Sequence, residues 1–275
     1  METKVYLLLV TFMAPNLARL TDGDLSVLDA SPFAGVAVPV VSAYDTSPVP
    51  PAEDFRATVA MCRKHRIQVW PWVFLNRMIG RHAEGRSLHK DEPAEYFLRI
   101  PVLDLSNETG ARKDFLDIWR LALRLARDLG APGIVADFEA YNNYSAYDPR
   151  WTAEKRQESP EEVIDKLRGL GADLADIVAD EYPGAAIWQL FFDPYYSPYR
   201  TPDGQLLTRT TNYVNLGMLD RAVDREIAVT VIDGGETALG YYSPTLERLE
   251  AKIRSRDEAA RPFLEKYGSR MALAG

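Results

Sequence analysis

Two acids, Asp137 and Glu139, sit two positions apart at the end of an apolar run in the segment GIVADFEAYNNY (133–144). Strand side chains repeat with period two, so both carboxyls point to one face, their Cα atoms about 6.5 Å apart at roughly 3.3 Å per residue. Val135 shares that face, and Ile134, Ala136 and Phe138 point to the other. Two acids converging in a partly desolvated place cannot both ionise freely, so one pKa rises toward the range of a general acid. One group can then protonate a leaving oxygen while the other stabilises developing positive charge. The alternative is structural, with both carboxylates anchoring arginines or capping neighbouring loops.

The elements that must hold this pair are legible as alternating runs. Apolar, β-branched and aromatic stretches fall at 4–14, 35–44, 67–76, 133–141, 185–193 and 226–235. Helix candidates with amphipathic period lie at 51–65, 111–130, 159–183 and 243–268, and SRMALAG (269–275) reads as the start of a seventh strand. This is the pattern of βα units around a parallel sheet, and it predicts an α/β fold of (β/α)8 TIM-barrel type in a single domain, 1–275. With seven strands, either the barrel is incomplete, or the chain is a truncated form of a longer protein, or the count is off by one. The stretches 77–110 and 194–215 are longer than a simple βα connection and read as insertions over the strand ends.

In a parallel barrel the carboxyl ends of the strands line one mouth, where chemistry is found. Read that way, the mouth receives Asn16, Tyr44, Asp45, Trp70, Trp72, Asn76 and Arg77 from the first three strands. The fourth contributes Asp137, Glu139, Tyr141 and Asn142, the fifth Gln189, Asp193, Tyr195 and Tyr196, and the sixth Asp233 and Glu236. The predicted catalytic set is Glu139, Asp137, Glu236 and Asp193. Tyr44, Asp45, Trp70, Trp72, Asn76, Arg77, Tyr141, Asn142, Tyr195 and Asp233 are the predicted substrate binders. Aromatic rings facing the mouth would stack on a sugar ring. Asp233 precedes Gly-Gly, so its alternative role is to accept backbone hydrogen bonds in a turn.

Composition excludes several classes. With 32 basic and 40 acidic residues the formal charge is −8, and no basic cluster interleaves with aromatics, so nucleic acid is not an expected partner. The three histidines, at 65, 82 and 89, miss the strand ends, which argues against zinc, and no phosphate-binding or dinucleotide motif is present. No cofactor is expected. Cys62 is the only cysteine, so it reads as a buried structural thiol. No run has the roughly 18 apolar residues of a membrane span. The N-terminal run carries Glu2 beside Lys4 and reads as a first strand rather than a signal peptide. A cytoplasmic location is therefore favoured over a secreted or periplasmic one, and no feature specifies an oligomeric state.

The motif ADFEAYNN (136–143) on a fourth strand resembles that of the chitinase-like glycoside hydrolases of family eighteen and their relatives, and the whole chain is similar to bacterial barrel-type glycoside hydrolases. The resemblance implies carbohydrate as substrate, Glu139 as acid/base and Asp137 as the residue orienting an acetamido group that serves as internal nucleophile. The family pattern D-x-x-D-x-D-x-E also has Asp where this chain has Pro132 and Val135. A second route uses Glu139 as acid and Glu236 or Asp193 as nucleophile or base. Two rivals remain: a magnesium or calcium enzyme ligated by Asp137, Glu139, Asp193 and Asp233, and a carbohydrate-binding barrel without catalysis.

Overall fold

The computed structural model describes residues 7–10, 21–30, 33–40, 59–74, 110–138, 147–239 and 243–274. Strands β1 (Leu7–Val10), β2 (Phe33–Pro39), β3 (Gln68–Phe74), β4 (Gly133–Asp137) and β5 (Ala186–Gln189) lie side by side in chain order. They are continued by β8 (Thr230–Asp233) and β9 (Met271–Leu273), and every neighbouring pair is parallel. Sequential parallel order with helical crossovers is the topology of a (β/α) barrel, here seven strands among the described residues. The strand expected from SRMALAG is β9. A two-stranded hairpin, β6 (Tyr199–Arg200) with β7 (Leu206–Leu207), stands apart from the main sheet.

The helices are α1 (Asp22–Asp29), α2 (Gly110–Leu129), α3 (Pro149–Arg156), α4 (Pro160–Glu181), α5 (Thr210–Asp224), α6 (Glu236–Leu239) and α7 (Leu246–Tyr267), with further helical residues at 59–64. Local chemistry fixes their starts: Ser159 and Glu162 form a reciprocal capping box ahead of α4, and Pro160 occupies its first turn. Thr21 and Asp24 do the same for α1. None of the described helices is long and apolar enough to cross a membrane.

Strand alternation sorts the core into layers. Ile134, Ala136, Ile187 and Val231 face Phe115, Trp119 and Leu123 of α2 and Val163, Leu167 and Leu174 of α4 in the main cluster. On the opposite face Ala37, Trp70, Trp72 and Val135 form an interior cluster with Trp188 and Leu190 against it. A third cluster, Leu25, Val36, Val38, Val59, Cys62, Ile67 and Val69, lies beneath α1. Cys62 is fully buried there, and burial pushes its thiol up to about 11.

Two close approaches need glycine. A Cβ on Gly133 would lie 1.7 Å from the Ala186 carbonyl oxygen, so β4 and β5 pair tightly only without it. Between α4 and α5 the glycines are reciprocal: a Cβ on Gly171 would meet the Val214 carbonyl oxygen at 1.9 Å, and one on Gly217 the Arg168 carbonyl oxygen at 2.2 Å. Arg221 of α5 grips Asp176 of α4 through Nε at 3.0 Å and Nη2 at 2.7 Å at the edge of this contact.

The segment 194–215 departs from expectation. It is the β6–β7 hairpin followed by the start of α5, whose residues Thr210 to Leu219 are all buried. A helix enclosed on all sides shows no amphipathic period, so its start reads as loop.

Candidate functional site

The carboxyl ends of β4, β5 and β8 carry three buried acids, Asp137, Asp193 and Asp233, at 2%, 1% and 1% exposure. Asp137 closes β4 on the face of Val135, toward the interior tryptophans, opposite the face taken by Ile134, Ala136 and Phe138. Asp233 closes β8 with the parity of Val231 and therefore faces the helix side. At this same end of the sheet, alternation sends Asp137 and Asp233 to opposite faces. β4 and β5 are neighbours with Ala136 opposite Gln189, so the segments bearing Asp137 and Asp193 leave the sheet side by side.

Asp193 lies in the loop after β5 and is held by the first turn of α5. Its backbone N–H donates to Asn212 Oδ1 at 3.1 Å, and Asn212 Nδ2 donates to Asp193 Oδ1 at 2.9 Å and to the Asp193 carbonyl at 3.0 Å. The other carboxylate oxygen, Oδ2, receives no hydrogen bond and has only Arg209 Nη1 at 3.4 Å. Burial pushes the Asp193 carboxyl up to about 6, opposed by the Arg209 charge and the Asn212 amide and assisted by the charge of Asp233.

Asp233 accepts the Gly235 N–H at 2.7 Å and the Tyr195 hydroxyl at 2.8 Å. The turn role is thus realised, and burial raises this carboxyl as well, against those two hydrogen bonds and the Arg256 charge. Burial, followed by the neighbouring Asp233, holds the Tyr195 phenol far above its ordinary range, so it serves as a neutral donor.

A cavity of about 500 Å³ opens beside Asp193, between this loop and the α6–α7 region. Tyr195, Tyr196 and Arg209 line one side, and Ala238, Lys252 and Arg256 line the other. The Arg209 guanidinium lies against an aromatic wall, 4.6 Å from the Phe191 ring centre, 5.0 Å from Tyr196 and 5.5 Å from Tyr147. At the end of β5 the Trp188 indole N–H, on the interior side, and both side-chain amide atoms of Gln189, on the helix side, are buried without a hydrogen-bond partner. Each such group costs roughly 1–3 kcal/mol in a folded protein.

Of the residues read from the sequence, Asp193, Tyr195 and Tyr196 line this cavity, and Asp233 holds the Tyr195 hydroxyl. Glu236 opens α6, half-buried. Trp70 and Trp72, at 3% and 5% exposure, are packed in the interior cluster, Trp70 edge-on to Trp188 at 5.9 Å. Their position makes them core residues rather than open stacking platforms. Asn16, Tyr44, Asp45, Asn76, Arg77, Glu139, Tyr141 and Asn142 lie outside the described residues. Among the described residues no group of three or more His, Cys, Asp or Glu side chains converges as a metal site would require. Arg209, Asn212, Lys252 and Arg256 escaped the sequence reading. The first two stood in the segment taken for an insertion, and the last two are an i, i+4 pair in a densely charged helix.

No protein-family model matches the chain, and no curated protein matches it by sequence. In structure it is similar to a sugar phosphate isomerase/epimerase from Parabacteroides distasonis, with a TM-score of 0.45 and 8% identity over 98% of this chain and 73% of that one. It is also similar to an aldolase (0.33, 12%, 100% and 92%) and to a beta-N-acetylhexosaminidase (0.36, 10%, 99% and 66%). Likenesses this distant carry no argument about activity, and the barrel-type fold rests on strand order and register.

Proposed function

We propose that the protein is a glycoside hydrolase acting by carboxylate general acid/base catalysis at the carboxyl end of its sheet. Glu139 is the acid/base, Asp137 its electrostatic partner and Asp193 the second carboxylate. The observation that carries this reading is Asp193: a buried acid with one oxygen free of hydrogen bonds, at the wall of a cavity, titrating near 6. A carboxyl in that range can exchange a proton with substrate at neutral pH. Tyr196, at the cavity wall, supplies a ring surface on which a polyhydroxylated ligand can stack.

The test is a screen of the purified protein against aryl glycosides and oligosaccharides, with Glu139→Gln and Asp193→Asn beside it. On substrates with poor leaving groups, Glu139→Gln should lower kcat by about 10²-fold or more, and by less on activated aryl glycosides that need no protonation. Turnover unchanged in both variants, or binding without turnover in the parent, would overturn the assignment.

A further inference from the structure

We infer that Asn212 is the positioning residue of the site: it holds Asp193 by its backbone and by Oδ1, so that Oδ2 is the oxygen that gives and takes the proton. This rests on the reading that Asp193 acts in catalysis, and it adds a residue and an assignment of atoms.

Asn212 is fully enclosed at the start of α5, where an asparagine adds little to helix propensity or to apolar packing. Its amide is turned instead to the loop after β5. Oδ1 accepts the Asp193 N–H at 3.1 Å, and that donor fixes which end of the amide is oxygen. The two N–H groups of Nδ2 are then shared among Asp193 Oδ1 at 2.9 Å, the Asp193 carbonyl at 3.0 Å and Thr208 Oγ1 at 2.7 Å. Thr208 accepts there because its own hydroxyl donates to the Tyr196 carbonyl at 2.7 Å. The Tyr196 N–H returns to the Asp193 carbonyl at 2.9 Å, and the ring of contacts closes. A polar network satisfied in this way is rigid.

The two oxygens of the Asp193 carboxyl are therefore unlike. A proton on Oδ1 would compete with the Asn212 N–H, whereas Oδ2 receives no hydrogen bond and has Arg209 Nη1 at 3.4 Å. Asp193 and Arg209 both line the cavity, so Oδ2 and its proton belong to the cavity wall. The charged and titratable groups around Asp193 are Arg209 from the start of α5, Asp233 from the end of β8, Tyr195 from its own loop, and Lys252 and Arg256 from α7. Asn212 carries no charge and acts through its hydrogen bond, which favours the ionised form and opposes the burial that raises this carboxyl.

Carboxyl-carbon and side-chain amide NMR of the full chain, with Asp193 assigned by Asp193→Asn, tests this beside kinetics. In the parent, the Asn212 amide signal should titrate with the same midpoint as the Asp193 carboxyl, about 6. Asn212→Ser, which removes the amide donor, should raise that midpoint by about one pH unit and move the pH dependence of kcat/KM with it. Its kcat should fall about 10-fold while KM changes by less than about 2-fold. A residue that only braced the loop would lower stability and leave the midpoint in place. An Asn212 signal that does not follow the Asp193 titration overturns the inference, as does a folded Asn212→Ser with its midpoint or its kcat unchanged. If that variant does not fold, the amide signal of the parent decides alone. A shared titration with no turnover of any glycoside would sink the glycosidase reading and leave the hold of Asn212 on Asp193 standing. Turnover without the shared titration would do the reverse.

Discussion

Asp193 holds its proton into the near-neutral range because folding removes water from its carboxyl and returns only two direct partners, an amide and a guanidinium 3.4 Å away. The folded pKa, about 6, stands above the ordinary value of 3.8, so the fold favours the protonated form. The stability this gives is complete below pH 4 and is lost as pH rises through 6, on the order of 3 kcal/mol for a shift of this size. Urea unfolding between pH 4.5 and 7 should show a smaller decline in Asp193→Asn than in the parent protein, and identical slopes would refute the raised pKa. Asp233, raised in the same direction, is coupled to Asp193, so Asp193→Asn also removes that coupling and the comparison reads the pair. At this scale the sequence was a good guide to which side of β4 bears Asp137, because alternation is a backbone property. It was a poor guide to Arg209, Lys252 and Arg256, whose convergence depends on two helices meeting from distant parts of the chain.

The α4–α5 contact is an element-scale feature, and its two glycine environments make a controlled pair. Gly171→Ala would drive a methyl into the Val214 carbonyl and should cost about 2 kcal/mol or more. Gly169→Ala, two residues away in the same helix with nothing within 4 Å of the new methyl, should stabilise by up to about 1 kcal/mol. Urea midpoints of the two variants check both, and a similar response would mean that the helices do not approach this closely. Element positions were largely readable: the predicted helices at 111–130, 159–183 and 243–268 correspond to Gly110–Leu129, Pro160–Glu181 and Leu246–Tyr267. Among the elements the sequence did not show, α5 is buried all round, each strand of β6–β7 has two residues, and α1, α3 and α6 are only four to eight residues long.

For the whole molecule, the parallel sheet runs without a break from β1 to β9, and the main cluster joins residues from Val40 to Met271. We propose that this makes the chain one domain, which should unfold as one cooperative unit, with tryptophan fluorescence and far-ultraviolet circular dichroism giving coincident urea transitions. Two separated transitions would divide the chain. The barrel-type order was legible because each βα unit repeats the same local pattern. The division of strand ends between interior and helix side was not, because it depends on where each strand stops relative to its neighbours. Cys62 offers a way to watch one corner of this structure in time. It is the only thiol in the chain, fully enclosed under α1, and holds its proton until about pH 11. Opening of that corner would expose the sulfur and raise its thiolate fraction at pH 8 by about a hundredfold. A thiol-reactive dye added to the unmodified protein would therefore act as a stopwatch for the parting of α1 from β2 and β3, with no engineered label required.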